Sequence, residues 1–159
     1  MKEIPLTKGF VVLVDEEDYA RINQFTWYYN SGYAMRAPSR NKGLRYKKCK
    51  PQNPERLMHR MILGVHQEVD HINGNRLDNR KENLRPVTRQ QNSFNRVGRV
   101  GRKFKGVCWH KQHKAWRAYI VLNGKQKHLG LFDNREQAAV KYNEAAKMLY
   151  GEFARVNEV

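Results

Sequence analysis

The stretch "VDHINGNRLDNRKENLRPV", residues 69–87, decides the reading of this chain. "EVDHI" reads as a strand that ends on Asp70 and His71. "NGNRLDNRKE" is dense in Asn, Asp and Gly and reads as a loop. "NLRPV" reads as a second short strand, and Thr88 can cap a helix running through "RQQNSFN". The local order is strand, long loop, strand, helix.

The side chains in that unit suggest a chemistry. His71, at a strand end, can be a neutral base near pH 7. A carboxylate oxygen of Asp70 and an amide oxygen of Asn92 can hold one hard divalent cation. Magnesium suits such a site because it keeps several waters and takes further ligands from a phosphate. A metal-bound phosphate beside an imidazole base is a hydrolysis site. The other polar residues nearby have plainer readings. His59 packs on an amphipathic helix, His66 is exposed in a loop, Asn73 and Asn75 are turn residues, and Asp78 and Asn79 are loop formers first, with a supporting role behind the site as the second reading.

The phrase "DHINGNRLDNRKENLRPVTRQQN", with "MHRMILG" upstream, resembles the HNH nuclease family (the ββα-metal fold) in its phage and homing-type branch. The resemblance covers roughly residues 57 to 96. It implies Asp70 and Asn92 as metal ligands, His71 as general base, and Asn83 as the middle letter of the motif, bracing the loop and orienting His71. Arg85 and Arg89 are candidates for the scissile-strand phosphates. The implied cofactor is a divalent metal, magnesium with manganese as the alternative, and not zinc.

Composition agrees with a nucleic-acid partner. The chain has 159 residues and a formal net charge of +16. From Leu84 to Phe132 there are twelve Lys and Arg and no Asp or Glu. A second acid-free basic cluster runs from Arg36 to Lys50. Such one-sign stretches repel themselves and call for a polyanion. No basic stretch has the apolar stripe of a helix that lies on lipid, no run is long enough to span a bilayer, and no secretory leader is visible. The two cysteines, Cys49 and Cys108, form no Cys-x-x-Cys pair, which argues against a zinc ribbon. The expectation is a soluble, cytoplasmic protein (host cytoplasm if phage-encoded), with double-stranded DNA as partner and a monomer or weak dimer as its state.

Ahead of the motif, "GFVVLV" reads as a strand and "DEEDYARINQF" as a short helix with acids at its start. "FTWYY" and "GYAMRA" read as two strands around an Asn-Ser-Gly turn. Residues 38–54 read as a basic loop or hairpin. "ERLMHRMIL" puts Leu57, Met58, Met61 and Ile62 on one helical face.

Behind the motif, "RVGRVGRKFKG" reads as an extended basic connector. "GVCWH", "AWRAYIVL" and "KQKHLGLF" read as strands, with "NGK" as a hairpin turn. A helix follows, with Asp133 and Glu136 at capping-box spacing. Ala138, Ala139, Tyr142, Ala145, Ala146 and Leu149 form its stripe, and Gly151 ends it.

This last part resembles the plant Apetala/ethylene-response-factor domain, most closely in "LGLFDNREQAAVKYNEAA" and the terminal "RVN". The resemblance implies a sheet that lies in the DNA major groove. Alternation then puts Arg117 and Tyr119 on the outward face, with Gln126 and His128 beside them and Lys105 and His110 on the first strand. Cys108 stands where the plant domains carry a base-reading arginine. Arg96, Arg99, Arg102, Lys103 and Lys105 put five cations within ten residues of the connector, to neutralise phosphate.

The expected fold is α+β: an N-terminal mixed region with a ββα-metal motif, a basic linker, then a three-stranded antiparallel sheet on one helix. The expected domains are a nuclease domain over 1–95 (motif 69–95), a linker over 96–104 and a DNA-binding domain over 105–159. The expected function is a site-specific, metal-dependent DNA endonuclease of the homing type. The alternative is a sequence-specific DNA-binding regulator with an inactive nuclease-like core.

Overall fold

The computed structural model describes residues 1–36, 56–96 and 103–159. The expected basic loop over 38–54, Cys49, Arg99 and Arg102 lie outside the described residues. Among the described residues the chain is mixed α+β, with four small antiparallel sheets and four α-helices. It divides into two compact units, Met1–Thr88 and Arg89–Val159.

Among the described residues the first unit has three two-stranded ribbons and two short α-helices. β1 (Lys2–Pro5) pairs with β2 (Val11–Val14), with Ile4 opposite Val12. Sequence alone does not show β1, because four residues hold too little alternation to read. α1 (Glu16–Asn23) carries Glu16, Glu17 and Asp18 in its first turn, where the helix dipole favours acids. β3 (Trp27–Asn30) and β4 (Tyr33–Arg36) form the expected hairpin. Its turn residues Ser31 and Gly32 both have positive φ, 50° and 92°, as a tight hairpin requires.

α2 (Met58–Leu63) is shorter than expected. Leu57 is its extended N-cap rather than a helical residue, and Gly64 ends it at φ 63°. Val12, Val14, Ile22, Trp27, Met58 and Val69 lead the shared core. An isolated ribbon is marginal in water. Here each ribbon places one face on that common core.

β5 (Glu68–His71) and β6 (Leu84–Val87) form the ribbon of the motif, with Asp70 opposite Arg85 and His71 opposite Leu84. Asn83 lies one residue before β6, in a single 3-10 turn.

The second unit opens with α3 (Arg89–Asn95). β7 (Val107–His110), β8 (Ala115–Leu122) and β9 (Lys125–Phe132) form one antiparallel sheet in sequence order. α4 (Arg135–Tyr150) packs on one face of it through Ala138, Ala139, Tyr142 and Ala146, which meet Val107, Ala118 and Ile120. The alanines let the helix lie close to the sheet. Three details differ from the sequence reading. The N-cap of α4 is Asn134, not Asp133: its side chain accepts from the Gln137 N–H at 2.8 Å. Lys105 precedes β7 rather than lying on it. Phe104, placed in the connector, is buried in the core with Val107 and Ala118.

Candidate active site

β5 delivers Asp70 and His71 together into buried positions, at 7% and 4% exposure. The ribbon register sets Asp70 across from Arg85, and the two form an ion pair. Arg85 donates to Asp70 Oδ2 from Nη2 at 2.9 Å and from Nε at 3.1 Å.

The His71 ring is held elsewhere. Its Nε2 lies 2.8 Å from Asn79 Oδ1. With that oxygen facing it, Nε2 carries the proton and the lone pair of the neutral ring is on Nδ1. The His59 ring meets His71 edge-on at 5.1 Å between centroids, and Tyr33 lies at 6.2 Å. Burial lowers the His71 pKa, against opposing contributions from Asn79 and Asp70. His59 is pushed down to about 3, by burial first and then by His71 and Arg60. Both rings are therefore neutral at pH 7, so His71 is in the form a general base needs.

The long loop between β5 and β6 is closely held. Asn83 Oδ1 accepts from the Asn73 N–H at 2.9 Å, and its Nδ2 donates to the Asp78 carbonyl at 2.8 Å. Asp78 takes Arg80 through both oxygens at 2.8 Å. Arg80 holds the Asp78 carboxyl below the usual carboxylate range. The loop then docks on β2: the Leu13 N–H donates to Leu77 O, and the Asn79 N–H donates to Leu13 O, each at 2.8 Å. At the start of α1, Asp15 accepts the Lys81 N–H at 2.7 Å, and Glu17 and Asp18 pair with the Lys81 ammonium.

Asn79 is fully buried, and its Nδ2 has no partner among the described residues. An unpaired buried donor costs about 1–3 kcal/mol. Stability alone does not ask for an amide there, whereas the His71 contact does. Sequence marks Asn79 as a loop former first and a support for the site second; that its backbone is clamped to Leu13, which aims it at His71, is not visible locally.

The structure thus brings Asp70, His71, Asn83 and Arg85 together in the first unit. Asn92 and Arg89 are on α3, and Arg96 follows it, in the second unit. Lys103, His110, Arg117, Tyr119, Gln126 and His128 are also in the second unit. Lys103 pairs with Glu136 at 3.3 Å. Lys105 sets its ammonium on the Ser93 and Phe94 carbonyls near the end of α3.

A family model described as HNH endonuclease matches residues 64–94. The chain is 32% identical over 161 residues to an uncharacterized HNH endonuclease of Acanthamoeba polyphaga mimivirus, covering 96% of this chain and 77% of that relative. The chain belongs to the HNH endonuclease family. Protein 3.8 of Escherichia phage T7 is 34% identical over 89 residues, covering 55% of this chain and 73% of its own. No solved structure matches the chain.

As an HNH endonuclease the protein is a nuclease, a hydrolase of phosphodiester bonds. The matched residues include Asp70, His71, Asn83 and Asn92, and they end before β7. HNH nucleases generally use a divalent metal. Among the described residues no three His, Cys, Asp or Glu side chains form a metal-holding group. The donors that the motif offers are oxygens, one carboxylate and one amide. The Asp70 carboxylate is paired with the Arg85 cation, so a divalent ion there would share or displace that partner. No described helix is long and apolar enough to cross a membrane.

Proposed function

We propose that this HNH endonuclease is a metal-dependent, site-specific DNA endonuclease of the homing type. Residues 1–95 would cut, and the sheet of residues 105–159 would hold the target. The observation that carries the cutting half is His71: buried, neutral, and held through Nε2 by Asn79, next to a buried acid.

In this reading the Nδ1 lone pair of His71 takes a proton from the attacking water. Asn79 holds the ring's tautomer and direction. Asn83 fixes the loop that carries Asn79, through its bonds to Asn73 and Asp78. Asp70 and Asn92 would hold a divalent ion by hard oxygen donors, for which magnesium is the natural partner and manganese the substitute. When bound, that ion supplies charge neutralisation at the phosphate and at the leaving oxygen. Arg89 is then a candidate to hold the scissile strand.

The holding half rests on charge and form. A three-stranded sheet on one helix, with an acid-free basic sequence through its strands, suits a duplex, and the major groove admits strands. Its likeness to the Apetala/ethylene-response-factor domain belongs to the same proposal. So do the domain limits, the monomer or weak dimer, and a host cytoplasm as its place of action.

The test is cleavage of supercoiled DNA in magnesium, manganese or chelator, run beside His71→Ala. Metal-dependent nicked or linear product that the variant does not make supports the proposal. Tight, salt-sensitive DNA binding with no cleavage in any metal would make the chain a DNA-binding regulator instead.

A further inference from the structure

The sheet of the second unit has one face under α4 and one face open. Val107, Ala118 and Ile120 are on the covered face. By alternation Cys108, Arg117, Tyr119 and Val121 are on the other. The register sets Leu131 directly across from Arg117, His128 across from Tyr119, and Gln126 across from Val121.

Two features of this open face stand out. Val121 and Leu131 are large aliphatic side chains at 42% and 39% exposure. Each also sits beside a polar side chain that can read a base edge. Val121 neighbours Gln126, and Leu131 neighbours Arg117. The Nε of Arg117 is buried and has no hydrogen-bond partner among the described residues.

The face is also cationic. Arg117, Tyr119, Val121 and Gln126 reach from it into a cavity of about 520 Å³ at the sheet's edge that Arg96 and Lys105 share, and among the described residues no carboxylate lines it. A partner must therefore be anionic and also offer apolar points. Duplex DNA does both in its major groove, where thymine alone among the bases shows a methyl group. Spacing agrees: Leu131 lies across from Arg117, four residues from Val121 along β8, a rise of ~13 Å that is close to four base steps of 3.4 Å along one DNA strand.

We propose that Val121 and Leu131 are thymine-methyl contacts, so that the sheet selects thymine at defined positions of the target. Gln126 beside Val121 matches the adenine of an A·T pair. Arg117 beside Leu131 matches a guanine next to a thymine. This rests on the reading of the sheet as the DNA-holding element and specifies what it reads.

The test uses the full chain in chelator, so that binding is measured without cleavage. A target is selected from a random duplex library, then remade with uracil for every thymine, which removes only the methyl groups. The parent protein is expected to bind the uracil duplex about three- to fivefold more weakly for each methyl contacted, the size of one buried methyl in transfer. The double variant Val121→Ala, Leu131→Ala is expected to bind both duplexes alike. Lys125→Ala, at the tip of the β8–β9 hairpin where a cation meets phosphate and not a base edge, should weaken both by the same factor. Equal affinity of the parent for both duplexes would overturn the inference while leaving the DNA-holding reading intact. Absence of any DNA binding would overturn both.

Discussion

Arg85 and Asp70 sit directly opposite each other on neighbouring strands, and their side chains close into an ion pair of 2.9 Å with both partners mostly buried. A cation is thus already placed on the carboxylate proposed to hold metal. Removing it leaves a buried anion with less compensation, which costs ~3–5 kcal/mol in comparable pairs. Arg85→Ala should lower the melting temperature in chelator, and millimolar magnesium should restore more of it than it adds to the parent. A variant whose loss is the same with and without magnesium would remove Asp70 from the metal site.

His71 and Asn79 form a second unit of function. His71→Ala should abolish cleavage, a loss of at least ~10²-fold for a general base, and leave DNA affinity near the parental value. Asn79→Ala should slow cleavage by ~10–100-fold, the usual effect of losing a group that orients an active-site ring. Single-turnover rates on one defined duplex measure both. Parental rates in Asn79→Ala would show that the ring is held without it.

Asn83 makes its contribution through the loop backbone. Asn83→Ala deletes bonds to the Asn73 N–H and the Asp78 carbonyl. With about 1–3 kcal/mol for each of the two groups left unpaired, the variant should lose roughly 2–6 kcal/mol in urea denaturation. A change under ~1 kcal/mol would mean that the clamp to β2 holds the loop by itself.

Buried His59 makes stability depend on pH. The unfolded chain protonates this ring near 6.5, whereas the folded chain does so only at about 3. The folded state therefore binds fewer protons in between. Its stability is complete above 6.5 and falls as pH drops toward 3. His71 is lowered for the same leading reason and acts in the same direction. The lowered carboxyls of Asp18 and Asp78 matter only below about 3.8, their ordinary value. Urea midpoints should thus decline from about pH 6.5 to about pH 5, and His59→Phe should flatten part of that decline. An unchanged slope in the variant would show that His59 accepts a proton in the folded protein.

Salt dependence tests the charge on the sheet. If Lys125 and Lys127 meet phosphates, each Lys→Ala change should reduce the slope of log affinity against log salt by about 0.9. The slope of the parent and of each variant is read from binding between low and physiological salt. Identical slopes would move the phosphate contacts off the tip of the β8–β9 hairpin.

Sequence by itself determined the elements that local rules govern. Strand alternation and an Asn-Gly turn marked β8 and β9 over their full lengths, and turn-formers between two apolar steps marked the β5–loop–β6 unit with Asp70 and His71 at its hinge. These depend on neighbours within a few residues, so a short window contains the whole cause. Tertiary structure decided what those side chains touch. Asn79 reaches His71 because its backbone is clamped to Leu13, a contact between segments more than sixty residues apart. Asp15, Glu17 and Asp18 look like helix-start acids, yet they also anchor Lys81. Phe104 reads as part of a polar connector and enters the core, because burial depends on what packs around a side chain and not on its sequence neighbours. β1 was hidden for the same reason: four residues become a strand only when β2 is there to pair with them.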